Sequence, residues 1–89
     1  MKLLVLYKEG SEHRRKVEDF IREFRSGHPD AKIETEDVDR REGMAMASLY
    51  DVVRYPTVLA LRDDGSVLQM WEGEELPLMD EVGYYALEQ

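Results

Sequence analysis

Tyr55-Pro56-Thr57-Val58-Leu59-Ala60-Leu61-Arg62-Asp63-Asp64-Gly65-Ser66-Val67-Leu68-Gln69-Met70-Trp71-Glu72-Gly73 reads as a hairpin entered through a proline. Val58 to Leu61 is an unbroken apolar run, the pattern of a strand covered on both faces. From Ser66 to Glu72 the pattern changes: Val67 and Trp71 flank polar Gln69, while Leu68 and Met70 face the other way. Asp64-Gly65 lies between the two runs, and both residue types tolerate the positive φ of a tight turn. Strands are expected at 57–62 and 66–72.

Toward the N-terminus, Leu3 to Tyr7 is a second continuous apolar run, giving a strand at 2–7. Between Ser11 and Ser26 the apolar residues fall at Val17, Phe20, Ile21 and Phe24, the stripe of an amphipathic helix. Ser11 suits its N-cap, and Gly27 suits a stop before Pro29. Residues 31–38 read as a strand carrying Glu34, Glu36 and Asp37, charges that suit a sheet edge. A short helix is expected at 42–50. A last helix starts near Pro77, a residue favoured at a first helical position, and runs to about 88, with Leu78, Val82 and Tyr85 on its buried side. Gly83 inside it costs about 1 kcal/mol relative to alanine, with no local reason for its presence. The order is β-α-β-α-β-β-α, an α/β chain with a four-stranded mixed sheet and helices on both faces. The first βαβ unit is expected to be parallel and right-handed.

The 89 residues are read as one domain, 1–89. A chain this short buries only about 60–65% of the surface its unfolded form exposes. Hydrophobic residues at 43% provide a core, and the absence of cysteine leaves stabilisation to packing. Twenty acids against twelve Lys and Arg give a net charge of -8, which argues against nucleic acid and against an anionic membrane. Met1 to Tyr7 has one cation and too short an apolar run for a signal peptide, and no segment approaches a membrane span. The expectation is a soluble cytoplasmic protein.

Asp39, Tyr50-Asp51-Val52, Tyr55-Pro56-Thr57, Gly65 and Gly73 follow one another in an order and spacing that resembles thioredoxin. There an Asp after the second strand leads to a short helix, a Tyr-Gly-Val-like turn, an Ile-Pro-Thr motif and a hairpin ending in Gly. Lys8-Glu9-Gly10-Ser11 resembles the Lys-Pro-Gly-Cys-like turn of glutaredoxin, with Ser11 at the nucleophile position and Arg14 at that of the second cysteine. The chain therefore looks like a member of the thioredoxin/glutaredoxin-like superfamily that lacks both redox cysteines. The resemblance implies the minimal thioredoxin fold and a cis Tyr55–Pro56 bond. It implies a groove formed by the loop 8–14, Tyr55-Pro56 and the 72–74 turn, where the Tyr55 backbone pairs with an extended peptide. Gly10, Ser11, His13, Arg14, Tyr55, Pro56, Thr57 and Gly73 are the candidate binding residues. Thiol–disulfide exchange needs a thiolate, so disulfide oxidoreductase activity is excluded, and no catalytic residue is assigned.

Two features have a functional and a plainer reading. Ser11 at a helix N-terminus is placed to hold an anion or the sulfur of glutathione; an ordinary N-cap is the simpler role. His13, Arg14, Arg15 and Lys16 put cations on a first turn, against the helix dipole, as a clamp for phosphate or carboxylate. The simpler account pairs Glu12 with Lys16, Arg14 with Glu18 and Arg15 with Asp19. His13 and Ser11 do not face each other on a regular helix, so no nucleophile–base pair follows. The acidic run Glu34 to Glu42 is split by period two between opposite faces and lacks a Ca²⁺-loop spacing. Two histidines without cysteine give no zinc site. Met44, Met46 and Leu49 of the short helix, with Tyr55 and Trp71, read either as an adaptable binding surface or as core and half-buried packing; Leu49 is taken as core, and both readings stay open for Met44 and Met46. The preferred function is a non-redox module that binds a protein or extended peptide, with no cofactor. The alternatives are a glutathione-dependent enzyme that uses Ser11, and a structural subunit with its interface on Met44, Met46 and Trp71.

Overall fold

Leu3, Leu4, Val5 and Leu6 are fully buried in the computed structural model, which describes residues 1–87. Alternate side chains of a strand point to opposite faces, so four consecutive buried residues require cover on both. β1 (Lys2–Tyr7) supplies this run at the centre of the sheet. It pairs in parallel with β2 (Lys32–Asp37) and antiparallel with β3 (Thr57–Leu61), and β3 pairs antiparallel with β4 (Val67–Glu72). The sheet order is β2-β1-β3-β4. β3 is likewise buried along its whole length, and acidic β2 is an edge, as its charges imply.

α1 (Arg14–Gly27) packs Val17, Phe20, Ile21 and Phe24 on one sheet face with Leu3, Val5, Val58 and Ala60. Val82 of α3 (Met79–Leu87) joins that cluster. α2 (Arg41–Leu49) covers the other face, where Ala47, Val38 and Val52 meet Leu4, Leu6, Leu59 and Leu61. The expected order, mixed sheet and two-sided cover are all present among the described residues. The expected end of the last helix at 88 lies outside the described residues.

Several ends differ from the sequence expectation. α1 begins three residues after Ser11, and the N-cap position is His13, with no side-chain cap. The Ser11 hydroxyl instead donates to the Lys8 carbonyl at 2.7 Å, and the Ser11 N–H donates to the same oxygen at 3.1 Å. A hydroxyl turned back into that tight turn does not face the α1 amides. At the hairpin tip only Gly65 has positive φ, +90°, while Asp64 does not. The loop holds three residues, closed by the Arg62 N–H donating to Ser66 O at 2.9 Å, and the strand register shifts beside it at Ala60/Leu61. A three-residue loop with glycine in the left-handed region is a common alternative to the two-residue turn.

α2 ends with Asp51 at φ 56°. The Val52 N–H donates to Ala47 O at 2.8 Å and the Asp51 N–H to Ser48 O at 3.3 Å, the paired bonds of a Schellman end. This turn directs Leu49 outward: expected in the core, it is 67% exposed. α3 starts at Met79, two residues after Pro77, because Glu81 Oε1 accepts the Leu78 N–H at 3.1 Å and makes Leu78 the N-cap. Leu78 is consequently exposed rather than buried. Gly83 lies against His28: a Cβ there would stand 3.3 Å from His28 Nε2. That close approach accounts for a glycine that the local sequence leaves unexplained. Gly43 has a stronger constraint, since a Cβ would collide with the Asp37 carbonyl oxygen at the end of β2.

Candidate functional site

The sheet brings the candidate residues to one end. β1 and β2 finish there at Tyr7 and Asp37, which are register partners. β3 starts there, with Thr57 opposite Leu6 on one side and Glu72 on the other. The loop after β1, the segment before β3 and the turn after β4 therefore emerge side by side.

Within the first loop, Lys8, Ser11 and His13 form one hydrogen-bonded unit. The Lys8 N–H donates to His13 Nε2 at 3.0 Å, and the Lys8 carbonyl receives both Ser11 donors. An Nε2 that accepts is unprotonated, and burial lowers the His13 pKa, helped by Lys8 and opposed by Glu74. The His13 ring lies 6.4 Å from that of Tyr7. Burial raises the Tyr7 phenol, with Glu9, Glu18 and Asp37 adding to it and Arg14 acting against. Gly10 is exposed, with open space around it.

The second group centres on the proline. The Tyr55–Pro56 bond is cis. Pro56 is buried, and its carbonyl accepts the Gly73 N–H at 2.8 Å. Thr57 is fully buried, and its hydroxyl donates to Arg54 O at 2.6 Å. Tyr55 is half-buried against the α2-side cluster. Among the described residues nothing pairs with its backbone N–H or C=O. Gly73 has φ +95°, and a Cβ on it would lie 3.2 Å from the Arg54 guanidinium.

The two groups share an end of the sheet, but no hydrogen bond or ion pair joins them directly among the described residues. Lys16 spans between α1 and the turn after β4, donating to Glu74 O at 3.3 Å. Of the three expected helix pairs only Arg14–Glu18 forms, at 3.2 Å. Lys16 goes to Glu74, and Asp19 pairs with Arg22 at 3.0 Å rather than with Arg15. Exposed Arg15 and Arg54 carry no ion pair among the described residues. Arg54, Val53 and Tyr7 belong to this end of the molecule and were missed in the sequence. Arg54 and Val53 directly precede Tyr55, and Tyr7 ends β1, so adjacency to assigned elements was the only signal for them.

Other expected groupings resolve simply. Glu34 and Glu36 share a face of β2, close enough for each to act on the other's carboxyl. Bonding to Lys2, at 2.9 Å, holds Glu34 below the usual carboxylate range, whereas burial and Glu34 push Glu36 up. No group of three metal-ligating side chains occurs among the described residues. The expected surface of Met44, Met46 and Trp71 is not one surface. Met46 packs on the α2-side cluster and Trp71 on the α1-side cluster, because β4 and α2 present them to opposite faces of the sheet. No helix among the described residues is long and apolar enough to cross a membrane.

No protein-family model matches the sequence, and no curated protein does. Solved structures do match. A thioredoxin from Fasciola hepatica superposes with a TM-score of 0.74 at 16% identity, over 98% of this chain and 78% of the other. Thioredoxin 1 from Thermosipho africanus gives 0.73 at 18% identity, over 99% and 92%. Mitochondrial thioredoxin 3 from Saccharomyces cerevisiae gives 0.74 at 16% identity, over 99% and 77%. At these identities the likeness is one of fold.

Proposed function

Starting from a thioredoxin fold that contains no cysteine, we propose that this chain is a non-redox binding module holding an extended segment of another protein across Tyr55–Pro56. The supporting observation is the Tyr55 backbone, whose donor and acceptor lack a partner among the described residues at an open end of the sheet. Main-chain groups that meet only water at such a place are available to an added strand. Gly73 and Thr57 hold the segment from within, through the Pro56 carbonyl and the Arg54 carbonyl. Val53, 79% exposed, offers an apolar contact beside it. Arg14, Arg15 and Arg54 favour acidic side chains or a terminal carboxylate, with Gly10, Ser11 and His13 shaping the facing loop.

Affinity capture from a cell lysate tests this. Tyr55→Pro removes the donor and Arg14→Glu reverses a charge; both should reduce capture, with thermal unfolding used to check that each variant is folded. Capture unchanged by both variants would discard the groove.

A further inference from the structure

The two edges of the sheet are protected differently. β2 carries Lys32, Glu34, Glu36 and Asp37, charges that discourage pairing with another strand. β4, the opposite edge, reads Val67-Leu68-Gln69-Met70-Trp71-Glu72, with one charge, at its end, and no proline. By composition this strand is open to strand addition.

Its backbone is not open at the centre. The Gly73 N–H donates to Pro56 O at 2.8 Å, and along an antiparallel pair successive residues direct their N–H and C=O alternately toward and away from the partner. Trp71 and Gln69 therefore face β3, and Met70 directs its N–H and C=O to the outer side, where no strand pairs among the described residues. That outward N–H donates at 2.9 Å to Oε1 of the Gln69 side chain. The other end of the same amide is also held, since Nε2 donates to the Tyr85 hydroxyl at 3.1 Å. The Tyr85 ring, carried by α3, stands edge-on to Trp71 at 5.6 Å. Only the oxygen of a carboxamide accepts, so these two partners leave the Gln69 amide one orientation.

We infer that Gln69, anchored by Tyr85, is a plug that closes the outer edge of β4 against pairing with β4 of a second copy of this chain. In an antiparallel register centred on Met70, the two Met70 residues would exchange N–H···O=C bonds. Leu68 of each strand would face Glu72 of the other, so no like charges would meet across that register. Oε1 of Gln69 stands where the Met70 carbonyl of the second copy would have to accept. Tyr55–Pro56 takes no part in this contact.

Amide hydrogen exchange and sedimentation of the full chain test this. Gln69→Val removes the plug and installs a residue that suits a strand. In dilute solution its Met70 amide should exchange roughly fivefold faster than in the native chain, as for loss of one ordinary hydrogen bond, while the Trp71 amide, bonded to β3, is unchanged. On concentration this variant should dimerise where the native chain stays monomeric, with protection returning at Met70. Tyr85→Phe keeps the ring and removes only the hydroxyl. It should shift Met70 exchange in the same direction, and it carries the test if Gln69→Val does not fold. Met70 exchange unaffected by both variants would overturn the proposal. So would a Gln69→Val chain that is monomeric at every concentration, or a native dimer that protects the Met70 amide.

Discussion

The backbone N–H of Lys8 donates to Nε2 of His13 at 3.0 Å, tying the exit of β1 to the residue in front of α1. The bond exists only while that nitrogen is unprotonated. The conformation of the loop after β1 therefore depends on the protonation state of this side chain.

His13 should titrate below its usual value of about 6.5, since burial, then Lys8, disfavours the imidazolium more than Glu74 favours it. With the folded value depressed, its contribution to stability is fully present above the unfolded value and is lost as pH falls through the folded one. Glu36, whose carboxyl is raised, contributes in the opposite sense, being favourable at low pH and declining as pH rises. Comparing urea midpoints of the native chain and His13→Ala between about pH 7 and about pH 5 isolates the histidine: the variant should be less stable at the upper end and decline less steeply. A His13 ring-proton midpoint at or above the usual value would contradict the account.

Gly43→Ala should destabilise the chain, although alanine ordinarily gains about 1 kcal/mol over glycine in a helix. The added methyl meets the Asp37 carbonyl, which is backbone and cannot rotate away. A net loss of about 2 kcal/mol is expected, as for overpacking elsewhere. Urea unfolding measures it, and an increase in stability would be inconsistent with the α2–β2 approach.

Gly83→Ala is a subtler case. Its Cβ would press on the His28 ring, which is stacked on Phe24 at 4.8 Å. In the native background the crowding should offset the gain in helix propensity. In a His28→Ala background the full gain of about 1 kcal/mol should appear. A double-mutant cycle reads the difference, and perfect additivity would deny the contact.

Ser11→Ala should cost about 1 kcal/mol, the loss of one ordinary hydrogen bond to the Lys8 carbonyl. Because the hydroxyl proton is held inside its own loop, glutathione should leave the amide shifts of Ser11, Tyr55 and Pro56's neighbours unmoved up to millimolar concentration. Saturable shifts at those positions would revive the glutathione-dependent alternative.

The readable parts of the site were those resting on runs and order. Tyr55, Pro56, Thr57 and Gly73 are placed by the hairpin, and the hairpin follows from Val58–Leu61 and its pleated partner. Ser11 and the basic turn were harder to read. An N-cap and a tight-turn donor demand the same residue type, and only the position of the Lys8 carbonyl separates them. Arg14–Glu18 formed as helical spacing suggests, but Lys16 turned to Glu74, 58 residues away in sequence.

By itself the sequence determined which faces are apolar, the order of strands and helices, and the absence of a thiol. Periodicity and composition carry that information locally, and burial enforces it. The tertiary structure decided where helices start and stop, why Gly43 and Gly83 are glycines, and why Leu49 and Leu78 lie outside the core. It also separated Met46 from Trp71 across the sheet. Those outcomes depend on hydrogen bonds and close approaches between segments remote in the chain, and no local pattern encodes the distance between two such segments.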